Sequence, residues 1–204
     1  MRTLVIDTAT AACSVALIDG DTVVAAIHDI LDRGHAERLV PMIAELPGGG
    51  RADAVLVDCG PGSFTGLRVG LAAAIGLGIG WGVPVTGYSS TALIAAAAFA
   101  DHDWPALAVV LEGGHGELFV QPYARPLSPI GALASLRPES VIAMLDGRPA
   151  VGSGMRLMPE GSVTPALPVA AHAILLPAEA RALPPRPIYG RAPDAKPQPA
   201  RSAA

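Results

Sequence analysis

From Val69 to Ala100 the chain carries no Asp, Glu, Lys or Arg, and a run of that kind has to be hidden from water. A bilayer is one hiding place, since a spanning helix needs ~20 apolar residues; a protein interior is the other. Gly76, Gly78, Gly80 and Gly82 followed by Pro84 weaken the first half as a continuous helix, and TGYSST, Thr86 to Thr91, is too polar for the middle of a membrane. The expectation is two helices buried in a soluble, cytoplasmic protein with no membrane contact. Met1 to Ala12 lacks a cationic segment followed by a sustained apolar one, so no secretory leader is expected. Hydrophobic residues make up 51% of the chain and charged ones 16%, which leaves little charge to spread over a surface. A partner is expected to cover part of the apolar surface.

The 204 residues suffice for one large domain or two lobes. TLVID, CSVALI and TVVAAI are short apolar runs, the last two separated by a turn at Asp19 to Asp21, and together they predict a three-stranded meander. In HAERLVPMIAEL, Leu39, Val40, Ile43 and Leu46 recur at helical spacing, so one face packs on that sheet, with Pro41 expected to kink the helix or limit its early turns. AVLVD, Ala54 to Asp58, reads as a buried strand parallel to an earlier one. A glycine-rich turn with its helix, a short strand in VPVTG, and a serine-capped helix from Ser89 or Ser90 to about Ala100 complete an N-terminal α/β lobe, residues 1–104. WPALAVVLEGGHGELFVQPY turns back on itself at Gly113 to Gly116 and opens a smaller C-terminal α/β lobe, residues 105–191; the Pro-rich segment 192–204 is expected to be a disordered tail.

The turn GPGSFTG, Gly60 to Gly66, admits two readings. Accessible backbone N–H groups at a helix start could hold an anion, with Asp7, Gly62 and Ser63 as the candidate nucleotide-site residues. Yet Gly66 is followed by Leu67 and Arg68 rather than the lysine of a Walker loop, and the glycine spacing is one residue too long for a dinucleotide fingerprint. The second reading is close contact between protein segments. Gly66 and Gly70 stand four apart, as do Gly76 and Gly80, and each pair clears helix surface for another backbone, within the lobe or across a subunit interface.

The segments LVIDTATAACSVAL, RGHAERLVPMI and above all GPGSFTGLRVG closely resemble the bacterial TsaB family, the non-catalytic subunit of the machinery that makes N6-threonylcarbamoyladenosine in tRNA. HGELFV, VGSGMRL and PIYGR resemble later family motifs and extend the similarity along the chain. The resemblance implies a two-lobed α/β fold of the actin, Hsp70 and sugar-kinase type, ribonuclease-H-like, with the second lobe reduced. It also implies a scaffold without catalysis of its own, paired through a helical bundle with TsaD. TsaD transfers threonylcarbamoyl to the adenosine 3′ of the anticodon in tRNAs reading codons that begin with A. TsaE, an ATPase, joins the assembly, so ATP belongs to the complex, tRNA is met indirectly, and this chain is expected to bind no cofactor. Carried onto this sequence, the pairing helices run from His35 to Leu46 and from Phe64 to Gly80, with His35, Leu39, Met42, Ile43, Gly66, Arg68, Val69, Gly70, Ala73 and Leu77 as the expected interface. Without TsaD the same helices could pair with themselves in a homodimer. One departure is that Glu112 leads into Gly113, Gly114 and His115 where the family commonly has an acidic residue, a small one and an arginine.

Other chemistries fare less well. Net charge is −4, which gives the chain no overall basic counter-charge for nucleic acid. Cys13 and Cys59 form no C-x-x-C pair, and the five histidines show no H-x-x-x-H spacing, so no metal centre is expected; His35 reads as a capping or interface residue. Ser63 lies outside a G-x-S-x-G elbow and has no paired histidine, which argues against a peptidase. Asp7 is followed by Thr8, Ala9 and Thr10, without the glycine of a phosphate hairpin, so it reads equally as a turn cap or the remnant of a site. Arg68 reads as a solvated residue, a partner of Asp58, or a contact to TsaD or an anion. The rival to the scaffold is a free-standing superfamily ATPase or small-molecule kinase using the Gly60 to Gly66 turn.

Overall fold

The computed structural model describes residues 1–31 and 33–191; the expected tail, 192–204, lies outside them. Three apolar runs form the meander, β1 (Arg2–Asp7), β2 (Ala12–Asp19) and β3 (Thr22–Ile30). Helix α1 (His35–Glu45) follows and runs on through the exposed Pro41. Then come β4 (Ala54–Asp58), α2 (Phe64–Trp81), β5 (Val85–Tyr88) and α3 (Ser90–Asp101). The sheet order is β3-β2-β1-β4-β5, antiparallel across the meander and parallel from β1 through β4 to β5. That arrangement is the ribonuclease-H-like lobe of actin, Hsp70 and sugar-kinase folds.

The second sheet is built on the long hairpin β6 (Ala106–Gly114) and β7 (Glu117–Ala124). It gains the short β8 (Ser128–Pro129), β9 (Ala134–Leu136), β10 (Ala150–Gly152) and β11 (Thr164–Pro165), with α4 (Pro138–Leu145) against it. The hairpin turns through His115 at φ 55° between Gly114 and Gly116.

Strand alternation divides the interior into layers. Leu4, Ile6, Val15, Leu17, Val55 and Val57 face α1 and α2, whereas Val5, Ala16, Ile18 and Leu56 face α3. On the second sheet Leu107, Val109 and Leu111 meet α3 from the other side, and Ala108, Val110, Leu118 and Val120 pack with Val141 and Leu145 of α4. Helix α3 is thus covered from both sheets, which is why a sequence without a polar stripe suits it. Arg125 meets its C-terminal end, donating to the carbonyl oxygen of Phe99 in the last turn at 2.7 Å and to that of Trp104 beyond the helix at 2.9 Å.

The segment expected to complete the second lobe divides. Residues 106–165 build the second sheet, but the 3-10 turn Ala170–Leu175 returns to the first one, where the N–H of Ala170 donates to Ser14 Oγ at 3.0 Å and Ala170, Ala173 and Leu176 join the α3 core. From there residues 183–188 run beside the end of the first sheet, Leu183 bridging Gly87 and the N–H of Ile188 donating to the Cys59 carbonyl at 2.7 Å. The cause is apolar area left open on β1 to β3, which the C-terminal segment covers.

Because α3 belongs to one core reaching both sheets, truncating it should loosen both together. Leu93, fully buried, is the test: Leu93→Ala should cost about 2–5 kcal/mol, and urea unfolding followed by circular dichroism and by the combined fluorescence of Trp81 and Trp104 should show the two signals still coincident.

Candidate functional site

The two readings of GPGSFTG are separated by where its atoms go. Ser63 caps α2, its Oγ accepting the Gly66 N–H at 3.3 Å, while its own N–H donates to the Ala9 carbonyl at 2.6 Å. A Cβ on Gly62 would overlap the Ala9 carbonyl oxygen, and one on Gly66 would overlap that of Thr8. Thr8 Oγ1 in turn donates to the Gly66 carbonyl at 2.7 Å. The β1–β2 turn therefore presses backbone to backbone on the start of α2, and the glycines make that approach possible.

The stripe continues along the helix. Gly66, Gly70, Ala74 and Gly78, each four residues on, are buried against the sheet, Gly70 beside Thr8, Ile6 and Val57 and Gly78 beside Val85. Gly76 and Gly80 lie on the opposite side, where a Cβ would meet nothing within 4 Å. There Phe64, Arg68, Ala72, Ile75 and Ile79 are exposed, Ile79 at 80%, with Val40 of α1 exposed at 62%. By length and composition α2 is the one helix among the described residues long and apolar enough to cross a membrane; its inner side is occupied by this protein's own sheet.

The expected interface residues consequently part company. Leu39, Met42 and Ile43 are buried under the first sheet, and Gly66 and Gly70 are sealed against β1, so none of the five faces outward. The amphipathic face of α1 meets its own sheet first, and the close-approach glycines serve an internal contact. Arg68 is exposed, and Val69, Ala73, Leu77 and His35 are half-buried. His35 Nε2 lies 3.0 Å from the Thr10 carbonyl, a bond in which the ring N–H donates, so it fastens α1 to the β1–β2 turn. Arg68 does not pair with Asp58; its guanidinium stacks 3.7 Å from the Phe64 ring centroid.

Below the turn lies a polar cluster of which the sequence shows only the parts. Asp7 and Asp58, at the C-terminal ends of adjacent parallel strands, are both buried. The Tyr88 hydroxyl donates to Asp7 Oδ2 at 2.7 Å, and the Gly60 N–H to Asp58 Oδ1 at 2.8 Å. Ser90, the first residue of α3, sits 2.8 and 2.7 Å from the two oxygens of Asp58. Burial pushes the Asp7 carboxyl up to about 6, and burial with the neighbouring Asp7 charge holds Asp58 well above the usual carboxylate range. Adjacent strand ends that both finish in Asp were the available signal.

A cleft of about 1100 Å³ separates the lobes, lined by the β1–β2 turn, the start of α2, the β6–β7 hairpin and residues 188–191. Motif segments far apart in sequence meet there. Tyr189 packs 6.0 Å from Phe64, Arg191 pairs with Glu117 at 3.4 Å, and Gly190 lies so close to the Phe119 ring that a Cβ would overlap it. At the departing hairpin, Glu112 pairs with Arg156 at 3.8 Å. Asp7, Gly62 and Ser63, the candidate nucleotide-site residues, are each engaged with protein atoms, and among the described residues no group of three His, Cys, Asp or Glu is placed to hold a metal.

Comparison with known proteins places the chain. A family model described as TsaD, tRNA N6-adenosine threonylcarbamoyltransferase, matches residues 27–126. A protein from Escherichia coli, tRNA threonylcarbamoyladenosine biosynthesis protein TsaB, is 34% identical over 197 residues, covering 90% of this chain and 85% of its own. An uncharacterized protein from Mycobacterium bovis is 34% identical over 209 residues, covering 95% and 93%. Among solved structures, one from Pseudomonas aeruginosa, described as similar to peptidase YeaZ, superposes with a TM-score of 0.78 at 27% identity over 93% of this chain and 99% of that one.

The two sides of α2 make opposite predictions. Gly66→Ala should destabilise by about 1–3 kcal/mol or more, because the added methyl meets fixed backbone. Gly76→Ala should stabilise by about 0.5–1 kcal/mol, since it only removes helix-interior glycine freedom. Melting temperatures of the two variants, measured side by side, check both.

Proposed function

The chain belongs to the TsaB family, and from that premise we propose that it is a non-catalytic subunit in the biosynthesis of threonylcarbamoyladenosine in tRNA, pairing with TsaD in the cytoplasm. The observation that carries the pairing is the outward side of α2, where Phe64, Ala72, Ile75, Gly76 and Ile79 form an apolar stripe whose one charge is Arg68, flanked by Val40 of α1. Small residues within the stripe allow a second helix to approach closely, and large ones beside them supply area to bury. The TsaD-type match covers both helices, so a TsaD partner would bring a related pair, and four helices would form the bundle. Val69, Ala73 and Leu77 flank the stripe and contribute at its margin. TsaE and tRNA would then meet the assembled pair, with ATP consumed there and not by this chain.

The rival reading, a free-standing ATPase or kinase, has the interlobe cleft in its favour. It needs phosphate-binding groups, and the turn that would supply them is committed to the β1–β2 backbone. Titration calorimetry with ATP and magnesium separates the readings, tight binding by the isolated chain favouring the enzyme.

Co-expression with TsaD followed by size-exclusion chromatography with light scattering should give a one-to-one complex. Ile79→Asp should leave the fold intact and weaken that complex by about tenfold to a hundredfold, the loss expected for an interface anchor. Undiminished assembly would move the interface off this stripe.

A further inference from the structure

The edge of a sheet presents a row of backbone donors and acceptors that has to be covered, kept short or paired. Most edges of this fold are dealt with. Leu183 bridges Gly87 on β5, the Gly87 N–H donating at 2.7 Å and the Leu183 N–H returning at 3.1 Å, and the outer strands of the second sheet, β8, β9 and β11, have only two or three residues each. The exception is β3, nine residues long and with no strand beyond it among the described residues. Its sequence, TVVAAIHDI, holds no Pro, Lys or Arg to discourage a neighbour, and its carboxylate, Asp29, is ion-paired with Arg38 of α1 at 2.6 Å. Backbone groups alternate in direction along an antiparallel strand, and the Leu31 N–H donates inward to the Ala11 carbonyl at 2.7 Å. Ala26, His28 and Ile30 therefore turn their N–H and C=O groups away from β2. A bulge at Val24, between the Ile18–Val23 and Leu17–Ala25 pairs, marks where this regular stretch begins.

We propose that β3 pairs antiparallel with β3 of a second copy of this chain about a two-fold axis at Ile27, joining two five-stranded sheets into one continuous sheet. With its other edges covered or short, this molecule meets itself edge to edge only through β3, and a contact of one surface with itself is isologous and closes. Side chains select the register. With Ile27 on the axis, Val24 of one copy stands opposite Ile30 of the other, which joins the exposed large apolar residues of the strand, and Ala26 stands opposite His28, both exposed. Ala26 and His28 then exchange both backbone bonds on each side of the axis. Asp29 stands opposite Ala25, so no like charges meet. An axis at Asp29 would set the two carboxylates against each other, and one at His28 would set Asp29 against Ile27. Helix α2 stands on β1, β4 and β5 through Gly70 and Gly78, away from this edge, so its outward side stays free and the two contacts are independent.

A ladder from Val24 to Ile30 is a small interface, so sedimentation equilibrium of the full-length chain should cover about 5 to 500 µM and show a monomer passing to a dimer. Ala26→Pro removes an N–H that points away from β2, a place where an edge strand tolerates proline. It should raise the dimer Kd about tenfold or more while circular dichroism stays unchanged. Ile79→Asp, on α2, should leave that Kd as it is. In the wild type, hydrogen exchange at the Ala26 and His28 amides should slow about tenfold between dilute and concentrated solution, whereas Ile27 and Asp29, bonded to β2, keep their rates. A monomer throughout the range, a dimer lost in Ile79→Asp but kept in Ala26→Pro, or Ala26 and His28 amides indifferent to concentration would overturn the proposal. Should Ala26→Pro not fold, the exchange measurement on the wild type decides alone.

Discussion

The contact between the β1–β2 turn and the start of α2 fixes most of what surrounds it. The Ser63 N–H reaches the Ala9 carbonyl and the buried Thr8 hydroxyl reaches back to the Gly66 carbonyl, so the start of the helix is held by one backbone bond and one short side-chain bond. Five glycines in α2 would cost a free helix roughly 0.5–1 kcal/mol each, and only tertiary contact offsets that. Three of them, Gly66, Gly70 and Gly78, have a Cβ position already filled by another part of the protein. The remaining two, Gly76 and Gly80, gain nothing from this chain's own packing. Their presence is understandable if something outside approaches, which is the physical content of the proposed pairing.

The same contact bears on the phosphate reading of the turn. Such a site requires a turn whose N–H groups face an open cleft and a carboxylate beside it. Here the Ser63 N–H at the turn is taken by the Ala9 carbonyl, and the buried Asp7 accepts from the Tyr88 hydroxyl. The interlobe cleft persists as a space lined by Arg68, His115 and Arg156 among others. Burying two carboxylates is costly unless they are satisfied, and the cluster meets that condition with donors drawn from β5, α3 and the turn.

Much of this arrangement was legible in the sequence. Strand, turn and helix signals from Arg2 to Asp101 correspond to the observed elements because hydrophobic period and turn chemistry agree there. The choice between phosphate and close packing for GPGSFTG also pointed toward contact on composition alone. What the pattern could not supply was direction. Leu39, Met42 and Ile43 form an apolar face whether it meets a sheet or a partner, and Gly66 and Gly70 clear a surface without saying for whom. A four-residue register extended through Ala74 and Gly78 separates the inner stripe from Gly76 and Gly80. The return of residues 170–191 to the first sheet was hidden for a different reason, since 3-10 turns and extended Pro-rich chain carry no period to read.

That return gives the two lobes a relation unlike a hinge. One core runs from Val5 and Leu56 through α3 to Leu107 and Phe119, and the C-terminal segment binds β2 through Ser14, β5 through Gly87 and the second sheet through Glu117. Lobes that close on a ligand must part along an interface with little shared core, as hinge motion requires. Here parting would expose Leu93, Leu111 and Phe119 and break the Arg191–Glu117 pair as well. A helix face offered to a partner benefits from such rigidity, because every degree of freedom already lost on folding is one that association need not remove.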